Sequence, residues 1–545
     1  MTSVASWLIG LVAGFTIVVT APMDAHAQAD AATSVLQQAE EEAQEIDRST
    51  TPRQTGSPVI ADEIQRPDLP PPGGPTILLN SVRFEPPSAF LTDEELLAIA
   101  SRYVGTRVDF SLIASLVRDV NDLYAEKGII TASAILPQQE LKDGVLLVQL
   151  VEGRVGAVGL LGERRTRDEV ILRKVQLTRG DGVVDVPAAA SDIARFNATH
   201  RAQLRMLLQP GAAFGLTDVV LGVTEPPPDL FQFFMDNEGV ESTGEMRLNA
   251  HYRKYGALGI DDSLMLHLSG SPGSIAGTVT YDQPITDEGT RISLGYTTSG
   301  IHVISGPTAV LDVYGASQAG TVTVTHPLFV DPEWTVQALA SASYGVNSSE
   351  VSGVTIVDSD TTKLAAGIVI GHTGTSGSFT IQPQAIYAGA NNRLVLGEHR
   401  DILLFAGSAT GTYKLDEQFS LVGRGSWQYT DAQLLPGDLL FQIGGPKTVR
   451  GYPSSGVAGD SGYFGQVELH WSGAPDDGPE PFLFGDFGQV FSTFPSQQTL
   501  LSAGAGLISR LDENVTLDGT FAVPLLDSLP GQSWAAYWKL AATIQ

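Results

Sequence analysis

Residues 334–344 read Trp-Thr-Val-Gln-Ala-Leu-Ala-Ser-Ala-Ser-Tyr. Successive side chains of an extended strand point to opposite faces. Trp334, Val336, Ala338, Ala340, Ala342 and Tyr344 therefore share one face, and Thr335, Gln337, Ser341 and Ser343 share the other. The same alternation recurs across the C-terminal half. Leu264, Leu266 and Leu268 alternate with Met265 and His267, and Ile292, Leu294 and Tyr296 with Arg291, Ser293 and Thr297. Phe419, Leu421, Trp427 and Tyr429 oppose Ser420, Arg424, Ser426 and Gln428. Gly465, Val467, Leu469 and Trp471 face away from Gln466, Glu468 and His470, and Trp534, Ala536, Trp538, Leu540, Ala542 and Ile544 from Tyr537, Lys539 and Thr543. Segments of roughly ten residues, apolar on one side and small or polar on the other, suit strands that cross a bilayer. Backbone polar groups in hydrocarbon must all be paired, which requires a closed sheet. The 315 residues from Phe231 to Gln545, at roughly 20 per strand plus loop, allow about sixteen strands. A propeller or a series of sandwiches is the soluble alternative, but no blade-length repeat is visible.

Composition agrees with this reading. Only 17% of the 545 residues are charged, Gly numbers 58, and Cys is absent. A lipid-facing sheet with tight turns needs few charges and many glycines. The net charge of −29 opposes nucleic-acid binding, which calls for a basic face. Without Cys there is neither a disulfide framework nor a thiolate metal site.

Before the barrel, residues 1–27 read as a secretory signal: Trp7–Thr20 is a short apolar run, and Ala25-His26-Ala27 precedes a cut at Gln28. No Lys or Arg precedes Arg48, so the n-region carries only its amino group. A misplaced start or an uncleaved anchor is the other reading. Over 28–50, Ala32, Val35, Leu36, Ala39, Ala43 and Ile46 recur at helical spacing with Glu40, Glu41, Glu42 and Glu45 among them. This acidic amphipathic helix is either a loose leader or a tethered helix that docks elsewhere. Residues 51–75, rich in Pro, form an extended linker.

Two small modules of order β-α-α-β-β follow, at 76–153 and 154–226. In the first, Thr92-x-x-Glu95 is a capping box, Asp109 caps a second helix and Gly128 ends it. In the second, Thr166-x-x-Glu169 reads as another capping box and Pro187 as a first-turn proline. Neither module gathers His, Asp or Ser in a catalytic pattern. They are either spacers or binding modules whose sheet edges accept an extended peptide.

The chemistry-bearing stretch is 443–462, with Ile-Gly-Gly-Pro-Lys-Thr-Val-Arg-Gly-Tyr at 443–452. The order of parts, together with Val449-Arg450-Gly451-Tyr452 and Phe484-x-Asp486-x-Gly488, resembles the two-partner secretion transporters (TpsB-type), also called the haemolysin secretion/activation family of the POTRA–barrel translocase superfamily. Asp236-Asn237-x-Gly239 with Thr243-Gly244 resembles that family's barrel entry, and Pro210-Gly211 the end of its second POTRA (polypeptide-transport-associated) module. The resemblance runs from about residue 76 to the C-terminus and takes in the N-terminal helix. It implies a mainly β chain: a transmembrane antiparallel barrel over 229–545 preceded by two α+β POTRA domains. It implies that the loop around 443–462 folds into the pore, and that the helix serves as a pore plug in contact with basic lumen groups such as Arg424 or Lys447. Arg450 then meets Asp486 on the barrel wall, with Glu468 on the neighbouring strand as a second acceptor; an Arg in an external loop making a surface ion pair is the alternative. Arg supports the first reading physically, because its planar fork binds a carboxylate bidentately. The implied activity is export of an unfolded TpsA-type exoprotein across the outer membrane of a Gram-negative bacterium, with the modules in the periplasm. Outer-membrane lipid and the barrel-assembly machinery are the other implied partners. Barrels of this membrane commonly end in an aromatic residue, whereas Trp538 is the aromatic nearest Gln545. An insertase of the same superfamily and a passive porin-like channel are the alternative functions.

Enzymatic readings find no support in the residues. Gly459-Asp460-Ser461-Gly462 imitates a nucleophile motif, but Tyr463 stands where a further Gly is needed, and no suitable His and Asp lie upstream. The 9 His show no HExxH spacing and no phosphate-binding Gly loop occurs. No cofactor or metal is expected.

Overall fold

The computed structural model describes residues 29–50, 59–61, 71, 73–179, 181–306, 308–395, 397–454, 456–473, 478–491, 497–529 and 533–545. The expected signal at 1–27 and most of the linker at 51–75 lie outside the described residues.

Sixteen strands close into one antiparallel barrel. The first, Asp229–Asp236, pairs with the last, Ala535–Ile544, from Phe231 opposite Ile544 to Asp236 opposite Lys539. Period-two alternation sets the two faces. In Ser461–Trp471, Gln466, Glu468 and His470 are buried in the lumen while Val467 and Trp471 point outward. In Glu480–Phe491, Phe482, Phe484 and Asp486 turn inward and Leu483 and Phe487 outward. The outward set is apolar, as strands that cross a bilayer require. The inward set mixes polar groups such as Gln466, Glu468, His470 and Asp486 with Phe482 and Phe484, and meets the loop and the helix described below.

Both modules place two helices against a sheet. In the first, Ser81–Glu85 runs parallel to Val145–Glu152, which pairs antiparallel with Ala132–Ile135. Its core gathers Leu96 and Ile99 from one helix, Leu116, Val120 and Tyr124 from the other, and Leu146, Val148 and Leu150 from the central strand. Thr92 closes the expected capping box with Glu95, and Asp109 accepts from the Leu112 N–H at 2.9 Å. A hydrogen bond from Lys127, then one from the Thr92 N–H, holds the Glu95 carboxyl below the usual carboxylate range.

In the second module, Arg154–Leu161 lies parallel to Leu216–Thr224, which pairs antiparallel with Gln203–Pro210. The linker returns here: Val59–Ala61 adds to the outer edge of Gln203–Pro210 as a parallel strand, Val59 opposite Met206 and Ala61 opposite Leu208. The capping box expected at Thr166 does not form. The short helix Asp168–Leu172 starts after Arg167, whose side chain makes no capping bond. Thr166 is used instead in docking the module to the barrel. Its N–H donates to Glu225 at 3.0 Å and its buried hydroxyl meets the Tyr255 hydroxyl at 3.0 Å.

Asp261, in the turn 256–262 between two barrel strands, anchors the module further. It accepts the N–H groups of Arg201 and Ala202, the Tyr255 hydroxyl at 3.0 Å and the Arg291 guanidinium at 2.7 Å. The second module is therefore fixed at the barrel mouth by buried, fully engaged polar groups. Such contacts persist only when every partner is supplied.

Candidate functional site: a loop and a helix inside the barrel

Residues 430–460 connect Phe419–Tyr429 to Ser461–Trp471 and fold back into the lumen. Phe441–Ile443 and Val457–Gly459 form a two-stranded ribbon at the loop's base. Ile443, Val449, Tyr452 and Val457 are buried with Val490 and Leu500 of the wall. Asp460 accepts from the Leu435 N–H and the Ser461 hydroxyl from the Thr430 N–H, so the motif resembling a nucleophile site is the loop's root.

Arg450 carries the loop tip. Its Nε and Nη2 donate to Asp486 at 2.8 and 2.7 Å, its Nη1 to Glu468 at 2.6 Å, and its backbone N–H to Asp486 at 3.0 Å. The guanidinium carbon stands 3.6 Å from the Phe484 ring centre, a cation–π contact within a desolvated site. Asp486 is 0% exposed, Arg450 6% and Glu468 7%. The second Glu468 oxygen meets His470 at 2.9 Å, and His470 reaches Glu480 at 2.7 Å. One cation is thus enclosed by two carboxylates and a ring.

Glycine permits the approach at two places. Gly451 has φ +89°, and a Cβ there stands 3.1 Å from Pro524. Its N–H donates to the Tyr537 hydroxyl at 3.1 Å. At Gly488 a Cβ would meet Val449 at 3.0 Å and Ile443 at 3.2 Å, so a side chain on the wall would crowd the loop's apolar contacts. The Tyr452 hydroxyl lies 2.9 Å from the carbonyls of both Leu501 and Leu526. Tyr452→Phe removes the donor those carbonyls share, at about 1 kcal/mol. Proteolysis within the loop should quicken several-fold, as read by limited digestion of the assembled barrel.

The helix Ala29–Thr50 occupies the same lumen. Ala32, Val35 and Ala39 pack on Ala276 and Ile301 of the wall, and Ile46 packs on Phe234 and Ala541. Its acids meet the lumen's cations. Glu42 accepts from Arg247 at 2.8 Å, while Arg247 also donates to Asp236 at 2.8 and 3.1 Å. Glu45 lies 3.3 Å from Lys447 of the loop and 3.8 Å from Arg424. Asp47 takes two bonds from Arg201 of the second module, at 2.7 and 2.8 Å, and stands 3.7 Å from Arg253. Wall, loop and module each hold the helix through an ion pair.

The structure gathers Val449, Arg450, Gly451, Tyr452, Glu468, Asp486 and Gly488 into this one region. Reading by sequence missed Arg247, Arg253, Arg201 and Asp47, because single charges on separate strands and modules carry no local motif. It also missed His251 and His267, which adjoin across paired strands with ring centres 5.9 Å apart. Among the described residues no group of three metal-ligating side chains forms.

Two family descriptions match the chain: haemolysin secretion/activation protein ShlB/FhaC/HecB over residues 215–510, more than half of it, and POTRA domain, ShlB-type, over 77–153. The outer membrane transporter CdiB of Dickeya dadantii is 23% identical over 422 residues, 73% of each chain. The heme/hemopexin transporter protein HuxB of Haemophilus influenzae is 23% identical over 271 residues, 48% of this chain and 47% of that one. Among solved structures, CdiB from Escherichia coli superposes with a TM-score of 0.70 at 19% identity, covering 94% of this chain and 98% of that one. CdiB from Acinetobacter baumannii gives 0.65 at 16%, covering 96% and 100%. These two structures share the fold. Members of the matched family are transporters rather than enzymes and work with exoprotein partners. The chain belongs to the haemolysin secretion/activation family ShlB/FhaC/HecB, the outer-membrane transporters of two-partner secretion.

Proposed function

We propose that this chain takes its own TpsA-type exoprotein, unfolded, from the periplasm through its two modules and threads it out through the barrel, with Ala29–Thr50 closing the pore between passages. The observation that carries this reading is the filling of the lumen by two pieces apart from the wall, the helix and the loop between Tyr429 and Ser461. Both are held by ion pairs and side-chain packing rather than by the barrel's strand ladder. Such pieces can shift without opening the wall. Val449, Arg450, Gly451, Tyr452, Glu468, Asp486 and Gly488 act as the loop anchor. The apolar outer face takes outer-membrane lipid as its solvent, and the barrel-assembly machinery inserts it. With no nucleotide site in the sequence, folding of the emerging exoprotein outside the cell supplies the drive.

The test compares proteins released by the native host with and without this chain. The protein lost from the surface and medium is the exoprotein. Removing residues 77–225 should abolish its export at equal barrel abundance while small-solute conductance survives. Loss of many different barrel proteins from the membrane would instead identify an insertase. Loss of no protein would identify a passive channel.

A further inference from the structure

The barrel wall beneath the helix carries a pair of histidines that the loop anchor does not use. His251, on Arg247–Tyr255, stands directly opposite His267, on Ser263–Ser271. Alternation turns both rings into the lumen, where they are 1% and 0% exposed. They belong to different strands, so the ladder brings them together and no sequence motif announces them.

Burying a polar nitrogen is costly unless something binds it. Among the described residues, all four ring nitrogens of the pair lack a hydrogen-bond partner, and so does Oε2 of Glu42, which the helix brings onto them. His267 Nε2 and Glu42 Oε2 stand 3.6 Å apart, too far for a hydrogen bond. That separation is close to the one between two ligands of a tetrahedral ion, about 3.4 Å for bonds of ~2.0–2.1 Å. Two imidazoles on such an ion have ring centres about 5–6 Å apart, and those of His251 and His267 are 5.9 Å apart. Arg247 engages the other Glu42 oxygen at 2.8 Å and so fixes the carboxylate with Oε2 toward His267. Phe234 stacks on His267 with ring centres 6.1 Å apart and restrains its plane.

We propose that His251, His267 and Glu42 bind one divalent transition-metal ion of the zinc type, which staples the helix Ala29–Thr50 to the barrel wall. Two imidazoles and a carboxylate suit zinc, whereas magnesium and calcium prefer oxygen ligands alone. The three side chains do not yet form a closed ligand set. His267 and Glu42 already hold ligand spacing, and His251 joins them by turning its ring about χ2, a torsion with a broad energy well. Two ligands belong to the wall and the third to the helix, so the ion adds a bond across the boundary that parts when the pore opens. Binding needs only the helix inside the barrel. Its effect on opening rests on the reading above that the helix closes the pore.

Zinc chloride titrated into the purified full chain, followed by calorimetry, should show one ion bound per chain and released to a chelator, and magnesium chloride should show none. His251→Gln and His267→Gln should each weaken zinc binding at least tenfold, while His302→Gln leaves it unchanged. In planar bilayers, zinc should make openings of the native chain at least several-fold rarer, and Glu42→Gln should abolish that response. Glu42→Gln alters the helix alone, so it decides even where a wall variant assembles poorly. No zinc bound by the native chain, native affinity in both histidine variants, or closure by zinc that persists in Glu42→Gln overturns the proposal. Export enters none of these readouts, so their failure leaves the transport reading standing. If removing the helix leaves conductance unchanged, the plug reading fails rather than the site, which calorimetry judges alone.

Discussion

Arg450→Ala is expected to reduce exoprotein export at least tenfold with barrel abundance unchanged. The substitution leaves Asp486 and Glu468 buried without the cation that joins them. Breaking a buried pair by removing one partner costs ~3–5 kcal/mol, and every ~1.4 kcal/mol is a tenfold change in a population. A loop held by a few such interactions then leaves its docked position in most molecules. Arg450→Lys keeps the charge but gives up the fork, which now spans two carboxylates and lies over Phe484. It should fall between the native chain and Arg450→Ala. Asp486→Asn should cost more than Glu468→Gln, because Asp486 takes three of the four bonds and Glu468 keeps His470. Export, loop proteolysis and barrel yield measured together decide the matter. Native export by Arg450→Ala would sink the anchor.

The legible parts of this chain are those with a local period or a local motif. Alternation along 465–471 reveals which side chains point into the lumen, because the pleat leaves no third choice. Caps at Thr92 and Asp109 are equally local. The same pattern misleads at Thr166, where the hydroxyl answers a barrel tyrosine 89 residues away instead of the helix after it. Contacts between modules have no such signature. Arg201 is one of many surface-like arginines in the sequence, yet in the fold it stands between Asp47 of the N-terminal helix and the barrel's Asp282. Three residues of a Pro-rich linker likewise give no hint of pairing, since the strand exists only because a neighbouring edge accepts it.

Removing residues 29–50 is expected to turn a nearly closed pore into one of large conductance, at least tenfold above the native chain in planar bilayers. Sixteen-stranded barrels enclose an aqueous channel unless something fills it. Here the filling is a helix of 22 residues, about 33 Å long, close to the ~30 Å thickness of the hydrocarbon core. A milder variant separates occlusion from assembly. Glu42→Arg sets a cation against Arg247, while Arg247 keeps Asp236 and the wall remains intact. It should open the pore partially. The two variants share a further signature that follows from charge. The helix brings Glu40, Glu41, Glu42, Glu45 and Asp47 into a lumen whose cations include Arg247, Arg253, Arg424 and Lys447. Without it Arg424 and Lys447 lose Glu45 and Arg253 loses Asp47, while Arg247 keeps only its barrel partners Asp236 and Glu238. The opened pore should therefore prefer anions, despite a net charge of −29 for the whole chain, and the preference should weaken as salt screens it. An unchanged conductance after the deletion shows that the helix does not occlude. A large conductance without anion preference shows that it occludes by volume alone, with the ion pairs serving only to hold it in place.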